Sequence, residues 1–323
     1  SEEYTAVQQP LYSTLPNAEE MKLIPGCKNI KIASRTNQRI IMLNKGADDK
    51  GFMVCKDCGA AMPGDDIAVL KNIERPYKLR FAKSKCRHAN TFNVNLGYDF
   101  ITDMLVLEFT IDDKVIDVRR KDNPWLSRAA QSLAEALRLV ASKKLDVEFT
   151  ELVTGYRLRT GSEASYIDIY LYDSLSSGAG YAVSVADSIT DLLADVREML
   201  SACDCGAACS KCLKHYRNQF VHGKLDRFAA LQLLKLGVDG KKASPLNVAT
   251  QIKMIMPLVN ILKESGCDIT FDEAIIASGR RTKKIVVYPA MWVEPKDIDT
   301  IFVSDAYIKY AKPYAVQKIL DNI

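Results

Sequence analysis

The sequence has no apolar run that approaches the roughly 18 residues needed for a membrane-spanning helix. Its N-terminus, Ser1-Glu2-Glu3-Tyr4, is acidic and polar and lacks the apolar stretch of a secretory signal peptide. An initiator Met is also absent, so we expect a fragment of a longer chain in preference to a chain from which Met was removed. These absences predict a protein with no membrane partner.

The sequence also lacks a Gly-x-x-x-x-Gly-Lys-Ser/Thr loop, so we do not expect this chain to hydrolyse ATP alone. The nearest candidate for an anion site is Gly178-Ala179-Gly180, which follows a predicted strand and opens a predicted helix. A tight strand-to-helix turn is the simpler explanation of these glycines. Glu148, Asp168 and Asp173 would suit a metal-dependent nuclease, but no nearby Glu-x-Lys completes such a site. We recognise no independent active site.

The chain does contain enough apolar material for a core, since 48% of its 323 residues are hydrophobic and 26% are charged. These proportions are typical of globular proteins, and they exclude a disordered tail or a disulfide-rich miniature. The 44 Lys and Arg residues nearly balance the 40 Asp and Glu residues, which gives a formal charge of +4. Any nucleic-acid-binding surface must therefore be local.

Strand-like and helix-like patterns alternate along the chain, which predicts a mixed α+β fold with zinc-ribbon or zinc-knuckle insertions. Apolar runs and alternations predict strands at 104–111, 147–159 (with a turn at Gly155), 167–172, 285–288 and 301–303, and two strands within 30–43. Apolar residues at three- and four-residue steps predict helices at 125–144, 181–200, 228–236, 246–265 and 307–320. We expect two to three subdomains: 1–92 with a zinc ribbon, 93–239 with a four-cysteine zinc site, and 240–323, an α/β part of open role.

Nine cysteines are many for a chain without a secretion signal, and most of them are clustered, which indicates metal binding in a reducing cytoplasm. The first cluster combines a Cys-x-x-Cys turn, Cys55 and Cys58, with Cys86 and His88. The turn offers two thiolates, and Gly59 lets the backbone curl around a metal. Cys86 and His88 would complete the tetrahedral ligand set of a zinc ribbon. The alternative is a group of free thiols and an exposed histidine.

A second cluster places four cysteines within ten residues, at Cys203, Cys205, Cys209 and Cys212. Zinc is preferred over an iron–sulfur cluster here, and four ligands without an open position predict a structural site. His215 and His222 follow closely, either as supporting residues, as phosphate contacts or as ordinary surface histidines. With the first cluster, the sequence predicts two zinc ions.

Basic residues accompany both clusters. Residues 71–87 contain seven cations, one acid and two interleaved aromatic residues, and further basic groups follow Cys212 and occupy 279–284. Cations release counterions from a phosphate backbone, and aromatic rings stack on exposed bases. The candidate nucleic-acid-binding residues are Lys78, Arg80, Lys83, Lys85, Lys214, Arg217, Lys224 and Arg227. The alternative is that these segments are simply solvated.

Several stretches together resemble a known domain: 96–105, 170–174, 178–180, the four cysteines of 203–212, 216–219 and 222–227. They are similar to the zinc-binding domain named after Mrf-type repair helicases (MZB). That domain occurs at the C-terminus of certain superfamily 2 helicases and in DrmB of the DISARM phage-defence system. The resemblance covers roughly residues 51–236, and the cluster of Cys55, Cys58, Cys86 and His88 also fits the DrmB-like arrangement.

The resemblance implies that the four clustered cysteines are structural zinc ligands and that the chain works with an ATP-driven motor on DNA. We therefore expect a zinc-binding accessory module of a DNA helicase that engages DNA without sequence specificity, in phage defence or DNA repair. The motor would be a partner subunit or another part of the same longer chain. The alternative function is a protein–protein docking module that grips the motor and has no direct contact with DNA.

Overall fold

The computed structural model describes residues 9–12, 20–46, 50–73, 85–86, 89–118, 124–161 and 164–323. Its strands are β1 (Gln9–Tyr12), β2 (Lys22–Leu23), β3 (Ile30–Asn44), β4 (Phe52–Cys55), β5 (Ala61–Pro63), β6 (Thr91–Val94), β7 (Leu96–Ile111), β8 (Leu152–Thr160), β9 (Ser165–Asp173), β10 (Asp268–Phe271), β11 (Ile275–Ser278), β12 (Thr282–Tyr288) and β13 (Thr300–Ser304). Its helices are α1 (Ile67–Leu70), α2 (Pro124–Leu145), α3 (Tyr181–Asp187), α4 (Ile189–Ala202), α5 (Arg227–Asp239), α6 (Val248–Glu264), α7 (Asp305–Tyr310) and α8 (Lys312–Leu320). In the described part of the chain, 3₁₀ segments occur at Phe149–Glu151 and Tyr216–Lys224. The predicted mixed α+β class is confirmed.

The largest sheet in the described structure has six antiparallel strands. Its order is β1-β3-β7-β9-β8, and β2 pairs with the outer part of β3. The longest pairing joins the 15-residue β3 to the 16-residue β7, with a register shift between Arg35 and Gln38. The predicted division at residue 92 stays a prediction, and strands from both sides of that position share this sheet.

Helices α2, α3, α4 and α5 cover one face of the main sheet. Alternate residues of β7 and β9, such as Leu107 and Ile169, point into this layer because successive strand side chains face opposite ways. On α2 the predicted apolar face is buried, and Leu133 at its middle has no exposed surface. The four-cysteine segment follows α4 directly, so this core fixes its starting point.

The C-terminal part has a second core. Strands β10 to β13 form a four-stranded sheet in which only the β12–β13 pair is parallel, among the described strands. Ile255 of α6, Val287 of β12 and Ile319 of α8 lie at the centre of this core. An isolated bridge between Ile116 and Trp292 ties it to the main body. A third, small sheet of order β5-β4-β6 carries Cys55 at the end of β4.

The predicted turn at Gly155 is wrong. Strand β8 continues through this position, where Gly155 is directly opposite Tyr170 on β9. A Cβ atom at Gly155 would lie 2.3 Å from the Tyr170 hydroxyl oxygen. The glycine therefore makes room for an aromatic side chain on the neighbouring strand instead of bending the chain.

Three other predicted elements differ in continuity. The helix predicted at 181–200 is divided at Ser188 into α3 and α4, and the helix predicted at 307–320 is divided at Ala311. Pro313 explains the second break, because it lacks an N–H and fits best in a first helical turn. The two strands predicted within 30–43 are one strand, β3. Within the described ranges, no helix combines the length and apolar character needed to cross a membrane.

Candidate metal centres and their surroundings

The four clustered cysteines converge on one point. All four Sγ atoms lie within 4.8 Å of one another. The Sγ–Sγ distances are 3.5 Å for Cys203–Cys209, 3.7 Å for Cys205–Cys212 and 3.9 Å for Cys209–Cys212. A tetrahedron with zinc–sulfur bonds of about 2.3 Å has sulfur–sulfur edges of about 3.8 Å. The donor set and its spacing therefore fit one tetrahedral zinc ion.

Local backbone structure favours ionised thiols at part of this cluster. The N–H of Lys211 points at Cys209 and is the main reason that its pKa is lowered to about 7. Burial instead raises the pKa of Cys212 to about 12. Since zinc binds thiolates, a bound cation would supply the charge that stabilises the buried sulfur.

Arg227 ties this cysteine loop to two helices. Its guanidinium donates to the carbonyls of Cys205 at 2.8 Å and Leu200 at 2.9 Å, the latter in the last turn of α4. Its backbone N–H donates to the Ala207 carbonyl at 2.8 Å, and its guanidinium carbon lies 3.9 Å from the Phe228 ring centroid. Only 7% of Arg227 is exposed. The sequence predicts a phosphate contact for Arg227, but the buried guanidinium is already bonded to protein carbonyls, so we leave it out of any nucleic-acid surface.

A second contact comes from the C-terminal part of the chain. Asp226 caps α5 by accepting the N–H of Phe228 at 2.9 Å. The other oxygen of this carboxylate accepts from Lys309 Nζ at 3.1 Å and from the Tyr310 hydroxyl, both on α7. Lys309 also donates to the carbonyl of Gly206, at 3.2 Å, inside the cysteine loop. The loop is therefore enclosed between α5 and α7.

Asn218 anchors the segment that follows the cysteines. It is fully buried, and its Nδ2 donates to Glu135 Oε2 and to the Leu213 carbonyl, each at 3.0 Å. Its Oδ1 accepts from the His215 N–H and contacts His222 Nε2, each at 2.8 Å. Burial raises the pKa of Glu135. These bonds give both histidines a structural role beside the cysteine cluster.

The upstream cysteines also converge. The Sγ atoms of Cys55, Cys58 and Cys86 lie within 4.8 Å of one another, and all three residues are buried. The N–H of Gly59 donates to the Cys55 carbonyl at 2.9 Å, which closes the turn. Burial opposes ionisation of Cys55, but N–H groups of this turn lower its pKa to about 7. Three thiolates suit zinc; the predicted fourth ligand, His88, lies outside the described residues.

The predicted nucleic-acid contacts are only partly described. Lys85, Arg217 and Lys224 are exposed, and Lys214 is half-buried. Lys78, Arg80 and Lys83 lie outside the described residues. Apart from the buried Arg227, the predicted contacts after the second cluster are Lys214, Arg217 and Lys224, and all three lie within the eleven residues 214–224 that follow the four-cysteine site.

Backbone N–H groups at and after the glycine loop of 178–180 bind a carboxylate of the same protein. The Asp173 carboxylate accepts backbone N–H bonds from Ala179 at 2.6 Å, Tyr181 at 3.1 Å and Ala182 at 2.8 Å. A Cβ atom at Gly178 would lie 2.3 Å from Asp103 Oδ2. The start of α3 is therefore already occupied by carboxylates, and the tight-turn interpretation of the glycines is confirmed.

Of the three carboxylates considered for a nuclease, Asp168 and Asp173 are bonded elsewhere, and Glu148 is exposed. Asp168 is 1% exposed and accepts from Arg157 at 2.8 Å and from Arg159 at 2.5 and 2.9 Å. Arg159 also bonds Glu108 at 2.5 Å. Within the described ranges, the two cysteine clusters are the only groups of three or more such side chains placed to share a metal ion. The geometry gives the nuclease alternative no support.

The fold and the four-thiolate centre define a zinc-binding α+β module. The family model of the MrfA Zn-binding domain (MZB) matches residues 133–213, a range that runs from the middle of α2 to just beyond the last of the four clustered cysteines. The resemblance expected from the sequence is thus confirmed over this segment.

One curated relative and two solved structures extend the comparison. The chain is 31% identical over 304 residues to the Druantia protein DruE of Escherichia coli (strain UMEA 4076-1). The alignment covers 86% of this chain but only 16% of DruE. Crystal structures of the DUF1998 helicase MrfA, bound to DNA or to DNA and AMPPNP, superpose with TM-scores of 0.42 and 0.34 at 12% and 11% identity. They cover 71% and 64% of this chain, and 24% and 22% of the MrfA chain.

Proposed function

We propose that this chain is the zinc-binding accessory module of an ATP-driven DNA helicase, and that it helps the motor engage DNA without sequence specificity. The observation that carries the proposal is the tetrahedral four-thiolate centre inside the segment that matches the MrfA Zn-binding domain. The zinc ion would be structural: four protein thiolates complete its coordination, so it holds the loop and presents no open position. The three-cysteine centre would hold a second zinc ion with His88.

The setting of this function is also part of the proposal. Because the chain spans 16% of DruE, we propose that it acts within a longer motor chain or as the subunit of a separate superfamily 2 motor. The match with a Druantia protein favours phage defence, with DISARM-type defence and DNA repair as the other settings. Clustered zinc thiolates persist in a reducing compartment, which favours the cytoplasm.

DNA engagement can be tested on the chain itself by fluorescence anisotropy with a labelled single-stranded oligonucleotide. The variant Lys214→Glu/Arg217→Glu should bind at least about tenfold more weakly, because each lost phosphate contact removes counterion release. Its control is Lys253→Glu/Lys263→Glu, which changes the net charge equally at exposed positions of α6 and should bind like wild type. If both variants weaken binding equally, the effect arises from the net charge of the chain, and the proposed local DNA-binding surface is contradicted.

A second candidate is the docking module without DNA contact. Exposed apolar side chains in the C-terminal part favour it: Ile298 is 82% exposed, and Met256 and Ile261 project from α6. Salt separates the candidates, since binding to a phosphate backbone weakens steeply between 50 and 200 mM salt and apolar docking does not. No measurable oligonucleotide binding at low salt would leave docking as the function.

A further inference from the structure

Two aromatic side chains stand out on the segment that follows the four-cysteine centre. Tyr216 is 77% exposed and Phe220 is 74% exposed, and they are the two most exposed aromatic residues in the described part of the chain. Rings of this size are normally at least half-buried, because removing them from water is favourable. Their position at the surface requires a physical reason.

The segment that carries these rings has charged side chains of one sign only. From Cys205 to Leu225 the sequence contains no Asp or Glu, and it contains four cations, Lys211, Lys214, Arg217 and Lys224. The Arg217 guanidinium lies 6.0 Å from the Tyr216 ring centroid. Aromatic rings interleaved with cations suit a polyanion that also carries flat apolar groups. An acidic partner would interact mainly with the cations, and a purely apolar partner would interact only with the rings.

The backbone of the segment that carries the rings is also held in place. Asn218, between them in sequence, is fully buried and bonds Glu135, Leu213, His215 and His222. Arg128 of α2 donates to the Gly223 carbonyl at 2.7 Å at the far end of the segment. A segment fixed in its middle and near its end loses little further entropy when a ligand binds.

We propose that Tyr216 and Phe220 form a platform on which the bases of single-stranded DNA stack. Cations of the same segment, Lys214, Arg217 and Lys224, contact the phosphates of that strand. This inference rests on the proposed function and assigns it a strand type and a contact mode. The zinc centre acts on this platform indirectly, since Leu213, adjacent to Cys212, accepts a bond from Asn218.

The test compares two fluorescent probes of equal length, about 12 nucleotides, within the range of single-strand site sizes. One probe is oligo(dT), and the other has the same phosphates but abasic spacers in place of every base. The variant Tyr216→Leu/Phe220→Leu keeps apolar surface and removes the aromatic faces, whereas Tyr216→Trp/Phe220→Trp keeps them. Zinc content and melting temperature should match wild type in both variants, because both positions are exposed.

Wild type should prefer oligo(dT) over the abasic probe by at least about fivefold, the lower end of what one stacked base contributes. The Leu variant should lose this preference and bind both probes equally, and the Trp variant should keep it. If the Leu variant retains the wild-type preference, the stacking platform is wrong, and the proposed function still stands provided that Lys214→Glu/Arg217→Glu weakens both probes. Wild-type protein that fails to bind either probe overturns both, and wild-type binding without any preference for bases overturns the platform alone.

Discussion

At the scale of single residues, Asn218 shows how a buried polar group fixes a functional surface. Its amide uses donors and acceptor together, donating to Glu135 and Leu213 and accepting from His215. Neither a carboxylate nor an apolar side chain can make this set of bonds, because the first has no donor when ionised and the second has no polar atoms. The residue therefore connects α2 to the chain beyond the cysteines.

Replacing Asn218 by Asp should lower the free energy of unfolding by about 3 kcal/mol, since the new carboxylate would face the carboxylate of Glu135 without a donor. Urea unfolding at neutral pH measures this loss. The control is Gln219→Glu, the same change of amide to acid at an exposed neighbour, which should shift stability by no more than about 0.5 kcal/mol. Similar losses in both variants would show that added charge, and not the buried bonds, sets the effect.

The cysteines of the candidate zinc site can be predicted from the sequence, whereas the residues that hold the cysteine loop in place cannot. Thiol ligands are recognisable from spacing alone, because residues close in sequence can meet at one metal. Arg227 and Asn218 act through carbonyls and a carboxylate 5 to 83 residues away, partners that only the folded chain brings together. Arginine is also most often exposed, so a basic position after a zinc loop indicates a phosphate contact by default.

At the scale of elements, α7 provides the contacts between the C-terminal part and the cysteine loop. Its first residue, Asp305, accepts the N–H of Ala290 at 2.8 Å and lies close to Asp226 and Lys309. Burial is the main cause that raises the pKa of Asp305 to about 6, from an ordinary value of 3.8; N–H donors of Ala290 and Ala306 oppose the rise. Because folding raises the pKa of Asp305, the stability of the folded chain should depend on pH through this group.

Between about pH 4 and pH 6 the folded chain holds a proton on Asp305 that the unfolded chain has released, so this group lowers stability as pH rises. Asp305→Asn removes the titration and keeps an acceptor for Ala290. Its stability relative to wild type should therefore increase by about 2 kcal/mol from pH 4 to pH 6.5, at up to 1.36 kcal/mol per pKa unit. Urea midpoints across this range test it, with Asp299→Asn, an exposed carboxyl, as a control that should show no such increase. A flat difference for Asp305→Asn would contradict the raised pKa.

The elements that could be predicted from the sequence are those whose apolar residues follow the period of a strand or a helix. The apolar run of β7 and the helical spacing of α2 identify both elements because each period matches one buried face. The role of Gly155 does not follow from the sequence, because a glycine that turns the chain and a glycine that makes room for Tyr170 give the same sequence pattern. The break before α8 is hidden in the sequence because the apolar pattern continues across Pro313.

At the scale of the whole molecule, the four-thiolate centre adds a polar contact between the main body and the C-terminal part, which also contributes Met291 and Ala306 to the main core. The loop of 203–212 lies against α4 and α5 of the main body and receives Lys309 from the C-terminal part. In small zinc peptides such a centre contributes on the order of 10 kcal/mol to folding. Its loss should therefore affect regions distant from it in sequence.

Removal of zinc by a chelator, or Cys209→Ser, should expose residues 200–227 and α7 to rapid hydrogen exchange, because the bonds to Asp226 and Gly206 depend on the loop. Exchange measured by mass spectrometry tests this. Strand β12, inside the second core, serves as the internal control and should keep its protection. A variant with unchanged melting and unchanged exchange would refute the structural role of the metal.

The contact of α7 with Asp226 also has a consequence for synthesis on the ribosome. Asp226 and Tyr310 are separated by 84 residues. Cys212, the last of the four cysteines, lies 98 residues before Tyr310, so at about 5 to 20 residues per second all four are synthesised about 5 to 20 s before Tyr310. A metal ion delivered in this interval would meet a loop that is still open on the side of α7, and α7 would then close over the loaded centre.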